Sequence, residues 1–262
     1  MSDATVASGP TRWPSPGAID VPWNVVVPEV DVHLVGYGDR LPNDFTLETL
    51  AVLKRCTRVF GLPPIVATAF GVPPMEDLRE HCVPDRAARD AHEAMAEAVL
   101  LAAAMDPPVA IATFGSPMVG TYAAHRIVEL APQRGLTFHV TNAVPTFDGV
   151  WADLNIDPLV GFEIWDAAAF VADAVAPSTR GHLLLVDTAQ LDAAELREHL
   201  LRFYAAEHEA VRLTAGPGVG PRVLGGSAQP IALGRLEAGA SAGSLLVPRP
   251  AGELFDFERA AP

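Results

Sequence analysis

The chain has 262 residues, half of them apolar and 7% aromatic, enough to bury the cores of one large or two medium α/β domains. Lys and Arg total 18 against 32 Asp and Glu, a formal net charge of -14, and no basic run is present that could track a phosphate backbone, so a nucleic-acid partner is excluded. The 2 cysteines, Cys56 and Cys82, supply neither a disulfide framework nor a zinc spacing, and the longest strongly apolar run, Ala98 to Met105, falls far short of the roughly 20 residues of a bilayer span. With no basic, apolar, small-residue leader at the start, the expectation is a cytoplasmic protein with no membrane partner and no metal.

Residues 1 to about 28 are rich in proline and small residues, and form an arm that carries Trp13, Trp23 and the apolar run Val21 to Val27. Val32 to Val35 reads as a strand running into Gly36-Tyr37-Gly38, and Leu47, Leu50 and Ala51 then recur at helical spacing behind Thr46. Val59-Phe60 reads as a second strand, after which Pro63-Pro64 and Pro73-Pro74 interrupt regular structure up to a long helix from about Asp85 to Met105. Val109 to Phe114 is the next strand, closing on Gly115-Ser116-Pro117; Met118 to Leu130 is helical and Phe138 to Thr141 a strand. Three such strand-to-helix units predict a parallel sheet.

The second half is less regular: helix Phe147 to Leu154, strand Gly161 to Trp165, helix Ala167 to Val175 and a buried strand His182 to Val186. Asp192 with Glu195 three residues on has capping-box spacing and opens a helix that turns Leu196, Leu200 and Phe203 inward. Beyond Ala210 only strands and glycine turns are expected, which predicts a mixed or antiparallel sheet. The division is an arm (1–28), an N-terminal α/β domain (29–143), a C-terminal α/β domain (144–250) and a tail (251–262).

Gly36 and Gly38 after a strand begin a dinucleotide-type turn, but the third glycine and the acid at the end of the next strand are missing. Gly115-Ser116-Pro117 has the same character, and both turns should fall on one edge of the sheet, where backbone can approach a ligand. In order and spacing these turns resemble the tetrapyrrole methylase family of S-adenosylmethionine-dependent methyltransferases, over residues 31 to 248. The family's GxGPGDP is here Gly36-Tyr37-Gly38-Asp39-Arg40-Leu41-Pro42, with Thr46-Leu47 in register. Within the family, Phe114-Gly115-Ser116-Pro117, Trp151-Ala152-Asp153-Leu154-Asn155-Ile156-Asp157-Pro158 and Glu163-Ile164-Trp165-Asp166-Ala167 are similar to segments of the borosin peptide backbone N-methyltransferases.

The resemblance implies two α/β domains, with S-adenosylmethionine in the cleft between them. It implies cofactor contacts at Phe114, Gly115, Met118, Val119 and Gly120, at Pro145 and Thr146, at Thr188 and Ala189, at Ala215, Gly216 and Pro217, and at Ser244. Asn142-Ala143-Val144-Pro145 lacks the family's serine, and Thr146 offers a hydroxyl one position on. Borosin enzymes use an Arg and a Tyr at the start of the long helix; alignment through Ala94-Met95-Ala96-Glu97 puts His92 at the tyrosine position and Ala88 at the arginine position, flanked by Arg86 and Arg89. A backbone amide is a poor nucleophile, so a base and a group that stabilises a developing oxyanion are the chemistry required, and His92 with Arg86 or Arg89 could supply it. The alternative makes both arginines solvated helix charges and His92 a satisfied surface residue.

The matched positions of Trp151 and Trp165 lie beside the peptide channel in the resembling enzymes. His33, His125, His139 and His182 lack metal spacing and read as core histidines. With no extended apolar tail before Pro262, a peptide supplied in trans to a homodimer is expected. Two readings stand beside it: methylation of a tetrapyrrole carbon, and a non-catalytic binding or scaffolding protein.

Overall fold

A computed structural model of the chain describes residues 25–38, 41–65, 67–83, 87–214, 227–237 and 243–250. Strands β1 (Val32–Gly36) and β4 (Val109–Thr113) are buried along their whole length, the pattern of strands covered on both faces. They lie at the centre of a sheet of order β3-β2-β4-β1-β5, in which β2 (Arg58–Leu62), β3 (Met75–Asp77) and β5 (Phe138–Val140) are the other members. Every pairing in this sheet is parallel. Parallel neighbours require crossovers, which are supplied by α1 (Leu47–Arg55), α2 (Ala88–Met105) and α3 (Tyr122–Gln133). On one face Met95, Val99 and Leu100 of α2 and Ile127 of α3 pack against Leu34 and Ile111. On the other, Val52 and Leu53 of α1 pack with Val35 and Tyr37. Each such fully buried aliphatic side chain stabilises the fold by about 1.5–3 kcal/mol.

The second sheet has the order β6-β7-β10-β8-β9, from β6 (Phe162–Asp166), β7 (His182–Val186), β8 (Glu209–Thr214), β9 (Ser227–Ala232) and β10 (Gly243–Val247). Only β6 and β7 run parallel; the other pairings are antiparallel. The α/β class, with a parallel first sheet and a mixed second sheet, is therefore as expected. Helices α5 (Ala167–Ala172) and α6 (Ala193–Leu200) cover one face through Phe170, Leu196 and Leu200, and α4 (Thr146–Leu154) covers the other through Val150.

Several boundaries differ from the sequence reading for local reasons. The proline-rich stretch carries β3, because Met75 to Asp77 pair with Val59 to Gly61 and add an edge strand. Helix α3 starts four residues later than Met118, since Gly120 sits at φ +65° and stops a helix from running through it. Helix α5 ends well before Val175, with Ala174 left-handed at φ 49°. Asp192 caps α6 through the Ala194 amide rather than through a reciprocal box. Of the arm, Val27 is buried against the α1 face and Val25 packs beside it; Trp13 and Trp23 lie outside the described residues. Among the described residues no helix is long and apolar enough to cross a membrane.

Candidate active site

The carboxyl ends of β1 and β4 meet at the two glycine turns. Gly38 and Gly115 form an antiparallel bridge, so both turns lie on the same sheet edge. The approach is close enough that a Cβ on Gly36 would stand 1.9 Å from the Gly115 carbonyl oxygen and 2.5 Å from the Ala143 Cβ. Gly115 has φ +60°, and a Cβ there would stand 2.6 Å from Thr146 Oγ1. Tyr37, between the first two glycines, is buried, donates its phenol to the Pro63 carbonyl at 2.8 Å and anchors the turn. Thr49 Oγ1 donates to the Gly36 carbonyl at 3.1 Å and ties α1 to the same point.

Above these turns lies a cleft of about 560 Å³ between the two sheets. Its first wall is Leu62 at the end of β2, Phe114 after β4, His92 of α2 and Val119-Gly120-Thr121 before α3. The second wall is Thr146, Phe147 and Val150 of α4, Leu184 and Val186 of β7, Asp187 and Ala189 after it, and Gly243 and Ser244 of β10. Thr188 stands behind that wall, its Oγ1 donating to the Gly243 carbonyl at 3.1 Å.

Of the residues expected at the site, the structure brings His92, Phe114, Val119, Gly120, Thr146, Ala189 and Ser244 to the cleft. Gly36, Gly38 and Gly115 form the turn beneath it, and Pro145 is the N-cap of α4. Met118 is not a lining residue; its carbonyl faces His125 Nε2 at 3.1 Å. Arg89 is exposed on the first turn of α2, three residues before His92 and on a neighbouring face. Arg86, Ala215, Gly216 and Pro217 lie outside the described residues.

Neither tryptophan lines the cleft. Thr146, Phe147 and Val150 of α4 line the cleft, whereas Trp151, which lies near Phe147 on the helix surface, packs against the second sheet and meets Phe162 edge-on at 5.8 Å. Trp165 lies on β6, the edge strand beyond β7, against Phe170 at 6.4 Å with its Nε1 donating to Glu163 at 3.4 Å. Their positions place the two indoles in packing rather than in the cleft wall. The sequence reading passed over Leu62, Thr121, Phe147, Val150, Leu184, Val186, Asp187 and Gly243. Of these only Asp187, an acid directly after a buried apolar strand, carried a signal that could have been read.

The lining suits a folded nucleoside cofactor. Its volume falls within the range of small-molecule sites, roughly 300–1,000 Å³, and it combines two phenyl rings and aliphatic walls with the hydroxyls of Thr121, Thr146 and Ser244. A Cβ on Gly120 would meet nothing within 4 Å, so this backbone faces open space within the cleft. His92 Nδ1 is buried without a hydrogen-bond partner, a polar atom that a ligand could satisfy. Asp187 is left-handed at φ 55° and its carboxylate does not cap the 3₁₀ turn Thr188–Gln190 that follows, so a strained backbone presents an acid to the cleft. No cluster of metal-ligating side chains occurs among the described residues.

Geometry thus defines an α/β protein with two sheets and a cofactor-sized cleft at the carboxyl ends of its strands. Residues 31–217 match the family of tetrapyrrole (corrin/porphyrin) methylases, and the chain belongs to that family of S-adenosylmethionine-dependent methyltransferases. Comparison with the curated proteins gives no sequence match. Among solved structures, the chain is similar to uroporphyrin-III C-methyltransferase from Thermus thermophilus, with TM-score 0.62 and 20% identity over 86% of this chain and 98% of that one. A complex of the Thermus enzyme with S-adenosylhomocysteine matches at TM-score 0.62 and 18% identity, covering 85% and 97% of the two chains. A cobalt precorrin-4 methyltransferase of cobalamin biosynthesis matches at TM-score 0.60 and 13% identity, covering 83% and 94%.

Proposed function

We propose that this methyltransferase acts on a peptide supplied in trans, most specifically on a backbone amide nitrogen, with S-adenosylmethionine held in the cleft between the sheets. The observation that carries the acceptor class is the charge of the cleft. Among the described residues its lining has one acid, Asp187, one imidazole, His92, and no Lys or Arg, in a chain of net charge -14. Uroporphyrin and the precorrins are polycarboxylates, and recognising them calls for cations that form charge-assisted hydrogen bonds. An uncharged peptide backbone needs none, and Leu62, Phe114, Val119 and Phe147 offer it an apolar wall.

Bound in the cleft, the cofactor supplies a methyl group made electrophilic by its sulfonium. Phe114, Gly120, Thr146, Ala189 and Ser244 would hold it, with Asp187 accepting from its hydroxyl or amino groups. The chain's contribution is alignment of acceptor and donor, exclusion of water by the apolar walls, and relief of the amide proton. His92 takes that proton; Arg89, exposed three residues before it and outside the described lining, is the one cation of α2 that a bound peptide could draw on for charge on the amide oxygen. Asp187→Gly is expected to leave stability within about 1 kcal/mol of the parent, because glycine adopts the left-handed backbone freely. The same change should raise the cofactor dissociation constant about 10-fold, the value of one charge-assisted hydrogen bond; calorimetry alongside thermal melting reads both.

The experiment for the acceptor incubates the protein with labelled S-adenosylmethionine, and in parallel with peptide precursors encoded beside it and with a panel of tetrapyrroles. Methyl transfer to a peptide, located on backbone nitrogen by tandem mass spectrometry, is the expected result. Transfer to tetrapyrroles alone overturns it in favour of the chemistry of the structural neighbours, and cofactor binding without any product favours the silent scaffold. The homodimer belongs to the same reading, and light scattering on the eluted protein should give twice the chain mass.

A further inference from the structure

His92 reaches the cleft from α2, but nothing within hydrogen-bond reach of its buried Nδ1 fixes the ring. The χ2 torsion of histidine is broad and roughly two-fold, so an unanchored imidazole spends time in orientations that do not meet an acceptor. What holds this ring is Tyr122, the first residue of α3, whose ring meets it at 6.0 Å between centroids and 64° between planes. Tyr122 is itself fixed: its phenol donates to Glu93 Oε1 at 2.9 Å, and the Arg126 guanidinium bonds the same carboxylate at 2.9 Å while also pairing with Glu129. Arg126 and, more weakly, the phenol hold the Glu93 carboxyl below the usual carboxylate range, so the anchor is charge-assisted.

We propose that Tyr122, clamped by the Glu93–Arg126 pair, is a positioning residue that sets the orientation of the His92 imidazole toward the methyl acceptor. The proposal rests on the reading of His92 as the proton acceptor and deepens it. Tyr122 touches the ring and not the reacting atoms, and its phenol is committed to Glu93. Among the described residues, the charged side chains that sequence or the cleft places beside His92 are Arg89 and Glu93 on its own helix, Arg126, paired with Glu93, on α3, and Asp187 in the opposite wall of the cleft.

Tyr122→Phe keeps the ring and removes the anchor. Loosening a supporting contact at a reacting group is expected to lower kcat about 10-fold, with KM for peptide and cofactor within twofold of the parent. The loss should fall on kcat through the orientation of the ring, and His92→Gln, which lacks the base, should fall well below Tyr122→Phe. Glu93→Gln, whose amide oxygen still accepts from the phenol but no longer pairs with Arg126 as a carboxylate, should lower kcat by less. Ring ¹H–¹⁵N spectra of His92 in the protein with no peptide present should show exchange-broadened ring signals in Tyr122→Phe and, to a smaller extent, in Glu93→Gln. Parent-like His92 ring signals and unchanged kcat in both variants would overturn the positioning role while leaving the base in place. Full activity of His92→Gln would remove the base itself. A parent that methylates no peptide overturns the acceptor reading, and the spectra still decide whether Tyr122 controls the ring; a Tyr122→Phe protein that does not fold leaves the decision to Glu93→Gln.

Discussion

Gly36→Ala is expected to destabilise the protein by at least about 3 kcal/mol and to abolish cofactor binding, the upper end of what overpacking costs. The added methyl would stand 1.9 Å from the Gly115 carbonyl oxygen and 2.5 Å from the Ala143 Cβ. Neither obstacle is the end of a flexible chain. One is backbone in a left-handed turn at φ +60°, and the other belongs to the segment that leads into α4. Relief therefore means moving the β4 turn away from β1, which breaks the Gly38–Gly115 bridge and shifts Phe114 in the cleft wall. Gly135→Ala is the control, since that glycine also has positive φ, +71°, but a Cβ there meets nothing within 4 Å. It should cost only the backbone strain, about 1 kcal/mol. Denaturant midpoints and calorimetry with the cofactor compare the two. Equal losses in both variants would mean that the close approach of the two turns is not what builds the cleft floor.

That pair of turns also shows what the sequence could and could not convey. Gly36, Gly38 and Gly115 follow apolar β-branched runs, and a glycine directly after a strand has few explanations other than a tight turn or close backbone approach, so the sheet edge and one wall of the cleft were legible. His92 was reached only through the resemblance, by alignment on Ala94-Met95-Ala96-Glu97. The second wall was not legible in the same way, because Phe147, Val150, Leu184 and Val186 are residues any core would use. Only the angle between two sheets makes them a lining, and no local pattern encodes that angle. The same blindness explains the tryptophans. Matched positions in the resembling enzymes suggested a peptide platform; the structure packs Trp151 against Phe162 and carries Trp165 on β6, and neither is among the residues that line the cleft. Strand β3 was hidden for a different reason: three residues between a Pro pair and a 3₁₀ turn carry no periodicity, and pairing with β2 alone makes them a strand.

A second large effect is expected on acidification, and it sits away from the cleft. His33 lies in β1 with 1% of its surface exposed, and its Nδ1 is buried without a hydrogen-bond partner. Burial, reinforced by repulsion from His139 and Arg55 and opposed by Glu48, pushes its pKa down from 6.5 to about 4. The folded chain therefore keeps this ring neutral at pH values where the unfolded chain protonates it. With more protons bound by the unfolded state, stability rises with pH across that window; it is fully present above about pH 6.5 and is lost as pH falls toward 4. By pH 5 the loss from His33 comes to about 2 kcal/mol, before the carboxylates held by Arg58, Arg126 and Arg134 start to be protonated in any number. His182, also lowered by burial, acts in the same direction. His33→Leu separates the contributions: it removes an unpaired polar atom and a titration together. Its stability should match or exceed the parent at pH 7.5, and the advantage over the parent should grow by about 2 kcal/mol at pH 5. Urea midpoints at the two pH values decide it, and parallel losses in parent and variant would show that His33 is protonated as readily in the folded chain as in the unfolded one.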